Sequence, residues 1–327
     1  MKIWVVGRGG LLGRSVEQVV DRIATVYKPD KSIDWHDRDR ASAQLANCSA
    51  EFFADRRGEN WAIFWCAGRG TLNSPSLQMQ DETLIFENFL KTVQRAAGEH
   101  GAFDSSVSGT LFFASSAGAV YAGSKNPPFT ELTPTISVTP YGDAKLRQES
   151  LLREFSVRTN TRVLIGRISN LYGARQDLGK NQGLIATICY SVLRRQPINL
   201  FVPLETSRNY IYVEDAARKI VRHTMSLSQH QAGSRFVVKL FVAPENVTVG
   251  GILNVARSVL RVKPLVTFST PPNSPYQAQN LVFKSIVDTG LDDSANTGFS
   301  DGMKRVMLDL QRAFVDVGWQ KKIEHSG

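Results

Sequence analysis

Short runs of apolar residues alternate with stretches in which apolar positions recur every three to four residues, and the rhythm holds through the first half of the chain. A βαβα alternation of this kind predicts a doubly wound parallel α/β sheet. The expected strands are 2–6, Ser32–Trp35, Ala62–Cys66, Leu111–Ala114 and Arg162–Ile165, with helices near 11–24, 41–55, 77–98 and 141–156. After about residue 175 the rhythm loosens into loops rich in Gly, Asn and Pro, with helical windows near 183–195, 213–226 and 249–260 and a β-rich run at Phe236–Val242. The pattern therefore predicts one unit over 1–175 and a smaller α+β lobe over 176–327. The apolar strand at 236–242 suggests that segments near 210–245 return to the first sheet.

Composition narrows the classes. Of 327 residues, 42 % are apolar and 21 % charged, which is globular rather than disordered. No apolar run approaches the roughly 18–20 residues of a spanning helix, and a strand begins directly after Met1 without a leader pattern. A cytoplasmic protein without a membrane partner is expected. Cys48, Cys66 and Cys189 are odd in number and far apart, which suits neither a disulfide framework nor a metal site. Lys and Arg exceed Asp and Glu by 9, yet no basic block appears, so the charge points to a small anionic ligand rather than to nucleic acid.

The candidate chemistry begins at the first strand-to-helix turn, Gly7-Arg8-Gly9-Gly10-Leu11-Leu12-Gly13. Glycines at 7, 10 and 13 allow a tight turn, close approach of backbone to a diphosphate and close helix–strand packing, while the helix start offers N–H groups to the anion. A dinucleotide-binding Rossmann domain follows from that position. Three Tyr-x-x-x-Lys pairs occur, starting at Tyr27, Tyr121 and Tyr141. The first encloses Pro29 and the second precedes Pro127-Pro128, whereas Tyr141 and Lys145 follow Thr139-Pro140, a good helix start. One helical turn apart, an ammonium favours tyrosinate and leaves Tyr141 as acid or base at a carbinol. The strand Phe112-Phe113-Ala114 ends in Ser115-Ser116, two hydroxyls at the edge where open α/β sheets bind ligands. Either could hold the same substrate oxygen.

With these motifs the chain resembles the extended short-chain dehydrogenases/reductases of the NAD-dependent epimerase/dehydratase family, which includes nucleotide-sugar epimerases and 4-keto-sugar reductases. The resemblance also rests on Cys66-Ala67-Gly68, Asn88-Phe89-Leu90-Lys91-Thr92, Arg167 to Gly173 and Arg208 to Asp215. It implies Ser116, Tyr141 and Lys145 as catalytic residues. The loop residues Gly7, Arg8, Gly10, Leu11, Leu12 and Gly13, together with Cys66, Ala67, Gly68, Asn88 and Lys145, would hold the cofactor. Ser115, Asn170 and Arg208 would face the sugar nucleotide.

Departures from the family pattern are equally informative. Gly118-Ala119 stand where dehydratases carry an Asp-Glu pair, so no dehydration is expected, and residues 264–304 contain no second Arg for a diphosphate. Only residues 41–61 separate His36-Asp37-Arg38-Asp39-Arg40 from the third strand, a short link that resembles NADPH-dependent reductases of the group. Arg38, with Arg8, would then meet an adenosine 2′-phosphate, although Asp37 could instead accept from a free ribose of NAD. NADP is favoured over NAD. The reading is reduction of a 4-keto nucleotide sugar, or 4-epimerisation through such a ketone. The alternatives are a reductase of a non-nucleotide carbonyl and a non-catalytic NADP(H)-sensing protein, which would need none of Ser116, Tyr141 and Lys145. Apolar positions on the helices near 77–98 (Leu84, Phe86, Phe89, Leu90, Val93) and 141–156 (Leu146, Leu151, Leu152, Phe155) lie on more than one face, so a homodimer through these helices is expected.

Overall fold

The computed structural model describes the chain except residues 55–58, 105–106, 181–182, 230–233, 270–279, 293–295 and 325–327, and except the side chains of 180 and 316–324. The elements run β1 (Lys2–Val6), α1 (Leu11–Val20), β2 (Thr25–Tyr27), α2 (Arg38–Ala54), β3 (Trp61–Trp65), α3 (Ser76–Glu99), β4 (Gly109–Ser116), α4 (Ala117–Val120), α5 (Pro140–Thr159) and β5 (Arg162–Ile168). They continue with β6 (Asn170–Tyr172), α6 (Leu184–Arg194), β7 (Ile198–Leu200), β8 (Ser207–Tyr212), α7 (Val213–Gln229), β9 (Phe236–Phe241), β10 (Asn246–Thr248), α8 (Val249–Leu260), β11 (Val266–Phe268) and α9 (Phe299–Glu324).

Among the described residues, six strands form a parallel sheet in the order β2-β1-β3-β4-β5-β9. Strands buried on both faces read as continuous apolar runs, as Ile3-Trp4-Val5-Val6 and Trp61 to Trp65 do. One face packs on α2, α3 and α5 through Trp4, Phe52, Phe86, Phe89, Phe113 and Phe155. The other packs on α1 and α7 through Val5, Val16, Phe64, Ala216 and Ile220. This is the doubly wound arrangement that the apolar rhythm implied. The chain leaves the sheet after β5 and re-enters it at β9, beside β5, with Val163 opposite Phe236.

The second lobe carries a three-stranded sheet, β10-β8-β6, and a parallel pair, β11-β7. Its own core joins Ile185, Ile188 and Cys189 of α6 to Ile252 of α8 and Met303 and Val306 of α9. Among the described residues no helix is long and apolar enough to cross a membrane.

One expectation fails here. The second strand is Thr25–Tyr27, not Ser32–Trp35, because α1 ends at Val20 and the chain turns back sooner than its apolar pattern suggests. The β-branched and aromatic run Thr25-Val26-Tyr27 then pairs with β1 and stands Tyr27 edge-on to Trp4, with ring centroids 5.6 Å apart. Ile33 and Trp35 do pack against the core, but from an irregular connection. Part of the apolar surplus on α3 and α5 is covered within the chain: α3 lies between α2 and α5, and Phe86, Phe89, Leu90, Val93, Leu151, Leu152 and Phe155 are all buried, while Leu77 of α3 and Val157 of α5 are exposed. Leu146 packs partly against the Tyr121 cluster, which leaves Leu84 as the one exposed member of the set.

Candidate active site and cofactor cleft

A cleft of about 910 Å³ opens at the carboxyl edge of the sheet. Its floor is the glycine loop. Gly7 sits at φ +87°, and a Cβ there would stand 2.6 Å from Ala67 N, while one at Gly13 would stand 2.2 Å from Gly7 O. Both positions therefore need glycine, and the start of α1 meets the cleft as bare backbone. Gly7, Gly10 and Leu11 line the space, with Cys66, Ala67 and Gly68 opposite. Leu12 turns the other way, into the core beneath α7. Volume, bare backbone and helix N-terminus fit an extended dinucleotide diphosphate.

At the far end of the cleft the cations are not quite those expected. Arg38 lines it, ion-paired to Asp39 at 3.1 Å and to Asp81 at 3.3 Å. Arg8 instead turns along α1 to pair with Glu17 at 3.0 Å and is not part of the wall. The other arginines of the wall are Arg14, one turn into α1, Arg69 in the β3–α3 loop, and Arg175 after β6. Asp37 also has another task. Its Oδ1 accepts from the backbone N–H of Asp39 and Arg40, at 3.0 and 2.9 Å, and so caps α2.

The catalytic candidates come together beside the cleft, behind its lining residues Gly68 and Glu82, and are not themselves part of its wall. Thr139 Oγ1 accepts from Gly142 N at 3.1 Å and Pro140 occupies the first turn, so α5 begins where Tyr141 can face β4. Lys145, buried one turn on, holds its ammonium 5.7 Å from the Tyr141 ring centroid and 4.9 Å from that of Phe113. The Ser116 hydroxyl, at the end of β4, is a polar neighbour of the Tyr141 phenol. Burial pushes the phenol upward; Lys145 pulls it back, a carboxylate at Glu82 pushes it up again, and the Ser116 hydroxyl lowers it.

Ser115 and Ser116 now part company. Ser115 Oγ donates to Glu149 Oε1 at 2.6 Å, inside a buried network in which Arg167 donates to both Glu149 oxygens at 3.1 and 2.7 Å. Arg167 also donates to the Tyr121 hydroxyl at 2.6 Å, and that hydroxyl donates to Thr130 O at 3.0 Å. Tyr121 is thus a buried structural phenol and Lys125 is exposed, while Tyr27 donates its hydroxyl to Glu51 at 2.5 Å, away from the site.

Three further expected residues lie apart from the cleft wall. Asn88 is exposed on the outer side of α3. Of the α3 residues that do line the cleft, Leu77, Gln78, Asp81, Glu82 and Ile85, the one beside Lys145 is Glu82, which sequence reasoning missed, although it shares the buried face of Met79, Phe86 and Phe89. An acid on an apolar helical face was the available signal. Asn170 Nδ2 donates to Asn209 O at 2.9 Å, bracing β6 against β8. Arg208 stands half-buried on β8, donates to Ser207 O at 2.9 Å, and is pulled down by its burial.

The model of the NAD dependent epimerase/dehydratase family matches residues 3–238. The chain belongs to that family. Among curated relatives it is 24 % identical to the dTDP-4-dehydro-6-deoxyglucose reductase of Escherichia coli over 213 residues, covering 65 % of this chain and 57 % of that protein. It is 34 % identical to the UDP-glucose 4-epimerase of Azospirillum brasilense over 116 residues, covering 32 % of this chain and 33 % of that protein. In these matches the chain thus spans less than two thirds of its family relatives' length.

Solved structures agree in fold across almost the whole chain. The UDP-glucose 4-epimerase of Thermotoga maritima with UDP-glucose superposes with a TM-score of 0.75 at 19 % identity, covering 96 % of this chain and 100 % of that one. The UDP-glucose 4-epimerase of Thermus thermophilus in complex with NAD gives 0.72 at 19 %, covering 95 % and 99 %.

Proposed function

We propose that the chain reduces the 4-keto group of a nucleotide sugar, with NADP(H) as its cofactor. The observation that carries this reading is the meeting of Ser116, Tyr141 and Lys145 beside a glycine-floored cleft. A bound reduced nicotinamide supplies the hydride. Ser116 would hold the carbonyl oxygen, Tyr141 would donate its phenolic proton to that oxygen, and Lys145 would stabilise the phenolate left behind. Gly7, Gly10 and Gly13 would admit the diphosphate, and Arg38, with Arg14 and Arg69, would favour a 2′-phosphate. The second lobe is proposed to hold the sugar nucleotide, Arg208 meeting its diphosphate. Gly118 and Ala119 offer neither acid nor base, so the proposal excludes dehydration. A homodimer through α3 and α5 is proposed as well, supported by the exposed Leu84 and Val157, and the reductase reading does not depend on it.

The test is a panel of nucleotide sugars and 4-keto nucleotide sugars, with and without NADPH. Net NADPH oxidation with a 4-keto substrate is expected. Isomer formation without it would replace the reductase by a 4-epimerase, and no turnover of any panel member would leave the nucleotide-sensing alternative.

A further inference from the structure

Glu82 is an unusual neighbour for a proton-transfer site. Its Oε2 accepts from the backbone N–H of Arg69 and of Gly70, each at 3.0 Å, which fixes the carboxylate and the β3–α3 loop together. Its Oε1 lies 3.7 Å from Lys145 Nζ, and the two side chains are only 16 % and 4 % exposed. The same loop presses on the tyrosine, since a Cβ at Gly70 would stand 2.9 Å from Tyr141 Cδ2. The groups facing Tyr141 are therefore Lys145 on its own helix, Glu82 from α3, the Ser116 hydroxyl at the end of β4, and the uncharged backbone of Gly70 from the loop.

A lysine in this position ordinarily acts as an unopposed charge that draws the phenol toward phenolate. Here a fixed carboxylate offsets it at short range in a poorly solvated place, where charges are weakly screened. We propose that Glu82 is a positioning residue that, by pairing with Lys145, keeps Tyr141 as the phenol and so sets the site to give a proton rather than to take one. The direction served is carbonyl reduction: the carbon gains hydride from the reduced dinucleotide, the oxygen gains the Tyr141 proton, and the phenolate regains a proton from water. This deepens, and rests on, the reductase reading above.

The test titrates Tyr141 by tyrosinate absorbance in the whole chain, as the difference between each protein and the same protein carrying Tyr141→Phe. It needs no substrate, so a wrong choice of sugar leaves it readable. Glu82→Gln keeps an oxygen for the two backbone amides and removes the charge, and the Tyr141 transition is expected to move down by about one pH unit or more. Glu82→Asp, which keeps the charge, should stay nearer the wild type than Glu82→Gln. Glu82→Asn gives a second neutral variant should Glu82→Gln not fold. With a turned-over ketone in hand, the alkaline fall in reduction rate should move to lower pH by the same amount in Glu82→Gln. An unchanged or upward-moving Tyr141 transition in the neutral variants overturns the proposal, even if their turnover falls.

Discussion

Ser115 and Glu149 are joined by a 2.6 Å hydrogen bond between two residues 34 apart in sequence, and this bond decides which of two adjacent hydroxyls is free for chemistry. Strand alternation sends neighbouring side chains to opposite faces, so fixing Ser115 toward α5 and Arg167 turns Ser116 toward Tyr141. Ser115→Ala is expected to lose stability, about 1–3 kcal/mol for a hydrogen bond to a charged group, while retaining turnover. Ser116→Ala should do the reverse. Urea unfolding and steady-state kinetics on the two variants check this, and a catalytic loss confined to Ser115→Ala would reverse the assignment.

Tyr141→Phe is expected to lower turnover by about 10²- to 10⁴-fold with cofactor affinity near wild type. Tyr121→Phe should leave the chemistry and weaken the fold, because its hydroxyl bridges Arg167 and Thr130. Reading kcat beside a cofactor titration separates the two.

Cofactor choice turns on Arg38, the expected cation that lines the cleft. Arg38→Ala should weaken NADPH binding far more than NADH binding, and Arg8→Ala, whose side chain is spent on Glu17, should change neither. Dissociation constants for both nucleotides measure it. Equal weakening of the two by Arg38→Ala would return the assignment to NAD.

The acid limb of stability should carry the mark of Asp292. Burial alone would raise its carboxyl, but hydrogen bonds from His223 at 3.0 Å and from the fully buried Lys239 at 2.8 Å hold it below 3.8. A carboxyl lowered on folding contributes stability above its unfolded value, near 3.9, and that contribution is lost as pH falls through the folded one. Stability should therefore drop as pH is lowered below about 4. In Asp292→Asn that dependence should flatten, and the neutral-pH stability should fall by on the order of 3–5 kcal/mol because Lys239 is left buried beside a neutral group. Chemical denaturation from pH 3 to 7 provides the curve.

The buried apolar faces of α3 and α5 bear on assembly. Beyond those faces the helices expose Leu77, Leu84 and Val157 beside Asn88, Lys91, Arg147, Glu154 and Arg158, which leaves apolar residues for a partner helix to cover. Light scattering at micromolar concentration is expected to give the mass of two chains, and the mass of one would remove the homodimer.

Much of the first domain is legible in the sequence. The alternation of strands and helices through β5, the glycine floor and the Tyr141–Lys145 pair were readable because each is a local pattern: a buried run, a turn that only glycine permits, a phenol and an ammonium one helical turn apart after Thr139-Pro140, whereas β6, β7, β8, β10, β11 and α9 were not foreseen. What sequence reading missed was relational. Nothing local says that Arg8 turns toward Glu17 while Arg14 faces the cleft, since both flank the same turn. The second strand was misplaced because apolar Ile33 and Trp35 pack on the core without pairing. Asn88 was chosen on motif likeness, whereas the helical register of Met79, Glu82 and Phe86 pointed to a different residue.

The return of β9 to the sheet has a consequence for how the molecule is made. The strand that covers β5 comes only after β6, α6, β7, β8 and α7, so the hydrogen-bonding edge of Val163–Ile168 stays open on the ribosome until Phe241 has emerged. An open apolar edge invites pairing with other nascent chains. The chain therefore cannot be cut near residue 175 into two stable halves. Fragments ending there should be sticky and poorly recovered, and a separately supplied C-terminal piece should rescue them only by delivering that strand.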